Sequence, residues 1–212
     1  MEFGLRSERL MTDAVVADRS RERWVNTGLI DSEQILARRF AQGDPDVIPQ
    51  IVQLYSGRLF QILLRMTGVR AEAEDVLQSA WLRIIRNTAR FDPNRPLAPW
   101  LVRIAVNTCR DHLRYERIRR IFRARPTTDD EGIGQVDFPD PRNRDGTDAL
   151  DAHHLLTHLS PKLRAVVVLK YFDGMTSDEI AVVLGIPEGT VKSRLNLAME
   201  KMRETIRKET GK

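Results

Sequence analysis

From Asp31 onward, apolar side chains recur at helical spacing rather than in strand-like alternation. Ile35, Leu36 and Phe40 lead to a break at Gly43-Asp44-Pro45. The stretch from Val47 to Met66 then carries Ile51, Tyr55, Leu59, Ile62, Leu63 and Met66 on one side, and Gly68 ends it. Residues 71–88 predict the next helix, opening on Glu72, Glu74 and Asp75, acids suited to a helix N-terminus, and continuing through Val76, Leu77, Ala80, Trp81 and Ile84. Arg90 through Pro99 is too proline-rich to be helical. Trp100 opens a long helix to Arg123, with Leu101, Ile104, Ala105 and Leu113 on its buried side. After a break, Ala149 to Leu159 predicts a short helix, and Ser160-Pro161 caps another with Leu163, Val166, Val167 and Tyr171 on one face. The run Val166-Val167-Val168 has strand propensity, but cap and periodicity outweigh it.

The most informative local pattern is Thr176 to Met202. Thr176 is a natural N-cap, with Glu179 placed to complete a capping box. Ile180, Val183 and Leu184 form one apolar face; Gly185 suits a left-handed helix end, and Pro187 stands where a new helix begins and a missing amide costs nothing. In the second helix Val191, Leu195, Ala198 and Met202 must face the protein, which turns Ser193 and Asn196 outward, flanked by Thr190 and Lys192. This is the layout of a helix-turn-helix, whose exposed polar groups suit base edges and phosphates. An ordinary helical hairpin with a solvated face is the alternative.

Composition narrows the picture. The 212 residues have room for one large domain or two small ones, and with aromatics at only 6% they fit small helical units better than a sheet sandwich. Lys plus Arg number 34 against 30 Asp plus Glu, so the placement of charge matters more than the net +4. A single cysteine, Cys109, excludes an intramolecular disulfide and a multi-cysteine metal site, and a reducing compartment is the simplest setting. No apolar run reaches the ~20 residues of a membrane span, and the N-terminus lacks a secretory pattern, so a cytoplasmic protein is expected.

Charge is also segregated. Arg103, Asn107, Arg110 and Arg114 fall at steps of four, three and four and so share a basic, polar stripe. It runs into a dense arginine segment from Arg117 to Arg125 and is continuous with Trp100 and a loop bearing Phe91, aromatics able to stack on unpaired bases. Between Pro126 and Ala149, seven acids oppose only Arg142 and Arg144, which reads as a flexible acidic linker. The expected organisation is all-α: a mobile polar tail at 1–30 with Met11 as an alternative start, a helical domain at 31–125, the linker at 126–148 and a helix-turn-helix domain at 149–210. His154 and His158 stand four apart on a helix, but neither they nor His153 has a third ligand at a recognised spacing, and no Gly-rich phosphate loop occurs. No enzyme, metal site or cofactor is expected.

Taken together the two halves resemble the extracytoplasmic-function (group IV) sigma factors of bacterial RNA polymerase. The resemblance rests on Ala73-Glu74-Asp75-Val76-Leu77-Gln78 with Trp81 and Leu82, on Phe91 through Pro99 with Trp100-Leu101-Val102-Arg103-Ile104-Ala105-Val106-Asn107, and on Leu159-Ser160-Pro161 through Gly189-Thr190-Val191-Lys192-Ser193-Arg194-Leu195. It spans residues 32–207 in the family's order. It implies two helical sigma domains, domain 2 and domain 4, and no catalysis, since RNA synthesis belongs to the polymerase. Glu72, Asp75, Gln78 and Leu82 would dock on core polymerase. Phe91, Trp100, Arg103, Asn107, Arg110 and Arg114 would bind and help melt the minus-10 element, single-stranded when captured. Thr190, Lys192, Ser193, Arg194 and Asn196 would read the double-stranded minus-35 element. The acidic linker would thread the RNA channel. The implied partners are core polymerase, promoter DNA and an anti-sigma factor, for a chain that is a monomer when free. Two departures stand out: the N-terminal tail, which the minimal pattern does not need, and Leu97 where many relatives carry an aromatic. The competing readings are a LuxR-type regulator, which shares a Thr-Val-Lys signature but calls for an α/β partner half, and a helical interaction adaptor without DNA contact.

Overall fold

The computed structural model describes residues 27–123 and 146–209. Expectations for residues 1–26, for the acidic stretch 124–145 and for 210–212 lie outside them. Among the described residues every regular element is helical. The first half contains α1 (Thr27–Ala41), a 3-10 turn (Pro45–Val47), α2 (Ile48–Thr67), α3 (Arg70–Arg86), a second 3-10 turn (Thr88–Arg90) and α4 (Leu97–Arg123). The second contains α5 (Gly146–Thr157), α6 (Pro161–Val167) running into a π-helical turn (Val168–Phe172), α7 (Ser177–Leu184) and α8 (Glu188–Glu209).

The boundaries follow from local chemistry. Asp44 accepts from the Asp46 amide at 3.0 Å and from Arg39 at 2.7 Å, which fixes the turn before α2. Gly68 adopts φ 81°, a left-handed conformation that lets its amide close on Leu64 and stop α2. Thr176 and Glu179 form the expected capping box at the start of α7, and Gly185 ends that helix at φ 64°. The proline-rich stretch is shorter than expected, because Leu97, Ala98 and Pro99 belong to the first turn of α4. A first-turn amide has no helical partner, so proline is tolerated there, and burial of Leu97 and Ala98 draws the turn onto the core. Helix α1 begins at Thr27 rather than Asp31, and α5 at Gly146 rather than Ala149.

In the first half α2, α3 and α4 pack against one another, with Ile51, Leu59, Leu63, Ala73, Ile84, Leu101 and Ala105 essentially dry. Trp81 on α3 donates its ring N–H to Ser56 on α2 at 3.0 Å, so its polar edge is satisfied as the ring is buried. In the second half α8 lies across α6 and α7, burying Val191, Leu195, Ala198 and Met202 as their spacing predicts. The valine run is entirely buried within the helical segment. The halves are not held apart: α7 packs on α4, while α2 meets α5, α6 and the π-helical turn, and one hydrophobic cluster spans both.

Candidate polymerase and nucleic-acid interfaces

Helix α3 turns Val76, Ala80, Trp81 and Ile84 inward, which leaves Asp75, Gln78 and Leu82 together on its exposed side. Leu82 is 51% exposed, an open position for a large apolar side chain. Glu72, one turn before Asp75, is less exposed than these three. It is half-buried toward α4, with a carboxylate oxygen 3.6 Å from His112 Nε2. Ile85, also exposed, extends the stripe beyond Leu82 and was not singled out from sequence, although its spacing of three from Leu82 is the signal that finds it.

Along α4 the polar stripe forms as the spacing requires. Arg103 and Arg114 are exposed, and Asn107 and Arg110 are half-buried between them. Thr108 is turned inward and donates its hydroxyl to Ile104 O at 2.8 Å. Trp100 stands at the head of the stripe, half-buried, with its ring 5.3 Å from Phe91 and 5.9 Å from Phe40. Phe91 itself is only 4% exposed and meets Phe40 edge-on at 6.1 Å. The structure therefore corrects the expectation for Phe91: burying a full aromatic ring outweighs presenting it to solvent, and Phe91 supports Trp100 from behind. Tyr115, Ile118 and Phe122 continue the exposed side of α4 toward its arginine-rich end.

On α8, Lys192, Ser193 and Asn196 are exposed, while Thr190 and Arg194 are half-buried at the edge of the same face. The Lys192 ammonium lies 2.8 Å from Glu188 one turn earlier, and this hydrogen bond and charge raise its pKa. Ser193 donates to Thr190 O at 3.1 Å, which leaves its oxygen as an acceptor for an outside donor.

His154 and His158 do meet, with ring centroids 4.6 Å apart, but His158 Nδ1 lies 3.0 Å from the His154 carbonyl. Among the described residues no group of three or more His, Cys, Asp or Glu is placed to hold a metal ion, and no helix is long and apolar enough to cross a membrane. Cys109 is buried, which pushes its thiol up to about 12 and makes it a small core side chain.

Two family models match the chain, Sigma-70 region 2 over residues 51–119 and Sigma-70 region 4 over residues 149–202. The first takes in α3 and most of α4, the second the helix-turn-helix. The chain is 33% identical to the ECF RNA polymerase sigma factor SigW of Bacillus subtilis over 82% of its own length and 98% of that protein's. The chain belongs to the extracytoplasmic-function sigma factors. The RNA polymerase sigma factor CarQ of Myxococcus xanthus is 34% identical, over 79% of this chain and 94% of the relative. Among solved structures, CnrH in complex with the cytosolic domain of CnrY matches with 27% identity and a TM-score of 0.59, covering 82% of this chain and 96% of that one. The sigma factor RpoE in complex with the anti-sigma factor NepR from Bartonella quintana shares the fold, with a TM-score of 0.62 at 21% identity. As a sigma factor this protein directs promoter-specific initiation of transcription; the LuxR-type and adaptor readings are not favoured.

Proposed function

We propose that this sigma factor divides its work among three solvent-facing surfaces. The exposed side of α3, with Asp75, Gln78 and Leu82, grips core polymerase, with Glu72 at its margin. The Trp100, Arg103, Asn107, Arg110 and Arg114 stripe holds the minus-10 strand, while Lys192, Ser193 and Asn196, flanked by Thr190 and Arg194, read the minus-35 duplex. The observation that carries this reading is that all three surfaces are open at once on separate helices, each backed by buried apolar residues that fix its orientation. Side chains on rigid helices need little ordering when they bind. Trp100 offers a stacking surface to an unpaired base, and arginines beside it neutralise phosphates, which lowers the cost of holding strands apart. Catalysis rests with the polymerase, the site of action is the cytoplasm, and an anti-sigma factor of the kind seen with the relatives is a further partner.

Run-off transcription with core polymerase on a genomic promoter library tests the reading. Initiation from a defined promoter set is expected, and failure to initiate from any fragment rejects it. Asp75→Ala with Gln78→Ala should weaken core binding at least tenfold while sparing contact with a minus-35 duplex; unchanged core affinity rejects the α3 surface.

A further inference from the structure

Helix α8 carries one large apolar side chain that the protein core does not use. Leu197 is 45% exposed, the only exposed large hydrophobic side chain among the described residues of α8. A single leucine on a surface is ordinary, and leucine is a good helix former, so exposure alone assigns it no role. Its position does. Val191, Leu195, Ala198 and Met202 fix the buried side of the helix, and at about 100° per residue the opposite direction runs through Gly189, Ser193 and Glu200, all exposed. Asn196 and Leu197 stand on either side of Ser193 within this outward stripe, Asn196 toward the edge that bears Lys192 and Leu197 toward the edge that bears Lys201. Leu197 therefore lies one turn beyond Ser193 and next to Asn196, inside the face proposed above to read minus-35.

The same stripe carries a gap. Gly189 lies in the first turn of α8 with right-handed helical backbone, and a Cβ built there would meet nothing within 4 Å. The fold therefore does not require glycine at this position, although glycine weakens a helix. Bare backbone at 189 leaves room for a partner to come close to the start of the stripe. Leu197 stands about 12 Å further along the helix axis.

We propose that Leu197 is a specificity-determining residue of this face: its side chain packs on the C5 methyl group of a thymine in the major groove of the minus-35 duplex, beside the base that Asn196 contacts. The inference rests on the function proposed above and names the base chemistry that one position of that face selects. Among the donors and acceptors presented in the major groove, the thymine methyl is the apolar group. Leucine has no hydrogen-bonding atom, so laid over an amino group or a carbonyl oxygen it would exclude water and leave that group unpaired, a cost that selects against such an edge. Over thymine it buries apolar surface on both sides of the contact. The neighbouring Asn196 carries an amide of the kind that pairs with N6 and N7 of adenine, so the two adjacent side chains together suit A·T pairs. Leu197 lies about 6 Å beyond Ser193 along the helix axis, which sets its thymine about two base pairs from the pair nearest Ser193, at roughly 3.4 Å per pair.

Run-off transcription by holoenzyme, reconstituted from core polymerase and the full chain, tests the proposal on a promoter that it uses, with the minus-35 segment randomised and the products counted by sequence. Wild type should favour thymine at one position of one strand. Leu197→Ala should relax that preference about fourfold, the worth of one buried methyl group, while preferences at the other positions stay within about twofold. Replacing that thymine by deoxyuridine removes only the methyl group, and should lower initiation by wild type about fourfold but by Leu197→Ala less than about 1.5-fold, because the contact is already gone. Helicity by circular dichroism and affinity for core should be unchanged in the variant, since Leu197 is exposed. The proposal is overturned if Leu197→Ala relaxes no position, or if deoxyuridine costs both proteins equally. It is also overturned if the variant loses core affinity with every base preference intact, which would make Leu197 a protein contact. Exchanging Lys192, Ser193 and Asn196 without altering minus-35 preference would reject the reading on which the inference rests. Altered preference there, with none at Leu197, rejects the inference alone.

Discussion

Helix α8 begins at a turn whose geometry is set by neighbours in the chain, whereas α4 begins where three aromatic rings from separate segments meet. Around α8, the Thr176–Glu179 capping box, the left-handed Gly185 and Pro187 act within a dozen residues of one another. Around α4, Phe40 from α1 meets Phe91 from the connecting loop and Trp100 edge-on, and the Phe91 and Trp100 rings are tilted against each other, all with centroids within 6.1 Å. Both helices present a polar face to solvent. The difference shows that the face proposed to read minus-35 is aimed by local turn chemistry and the stripe proposed to hold minus-10 by the core, so damage should separate them.

The largest effect is expected from Phe40→Ala. The ring is 1% exposed and touches both partners, so its loss should cost about 3–5 kcal/mol by chemical denaturation. Capture of a single-stranded minus-10 oligonucleotide should fall with it, while minus-35 duplex binding survives. A cost no greater than that of the capping-box variant below would erase the contrast. Next come exchanges at Lys192, Ser193 and Asn196, each expected to alter discrimination at minus-35 by about 1–3 kcal/mol where it touches a base edge. A promoter library read with each variant checks this, and an unaltered minus-35 preference counts against the face. Thr176→Ala should then cost about 1 kcal/mol in denaturation, and Gly185→Ala about 1–2 kcal/mol, since a Cβ at φ 64° is strained although the space around it is open.

The smallest effect is a pH dependence at the boundary between the halves. Burial, and then Arg164, His154 and Arg65, hold the His153 imidazole below its ordinary value of 6.5. The packed state therefore binds the proton less well than an unfolded one. Its contribution to stability is complete above pH 6.5 and is lost as pH falls below that toward the depressed value. Asp173 acts with the opposite sign between its ordinary value of 3.8 and its raised folded value, because there the packed state binds the proton more readily than the unfolded one. Melting temperatures at pH 7.5 and 5.5 should differ more for wild type than for His153→Gln; equal differences would remove His153 from the account.

Much of each half was legible from residue spacing. Ile51, Leu59, Leu63 and Ile84 in the first half, and Val191, Leu195, Ala198 and Met202 in the second, are buried where helical periodicity puts them. The exposure of Asp75, Gln78, Ser193 and Asn196 follows from the same periodicity. Phe91 was misread because a loop phenylalanine carries no periodic signal saying which way it points. Pro99 was misread because proline breaks a helix only beyond its first turn.

The sequence by itself determined the helices, their caps, the faces that stay wet and the family to which the chain belongs, because each depends on residues a few positions apart. Only the tertiary structure decided that Phe91 lies behind Trp100, that Glu72 turns toward His112, and that the halves close on one another through Arg58 and Asp173, 115 positions apart. An arginine and an aspartate that far apart in the chain carry no mutual signal, since an ion pair has no period. Whether two such charges pair or stay hydrated depends on which apolar surfaces come together around them.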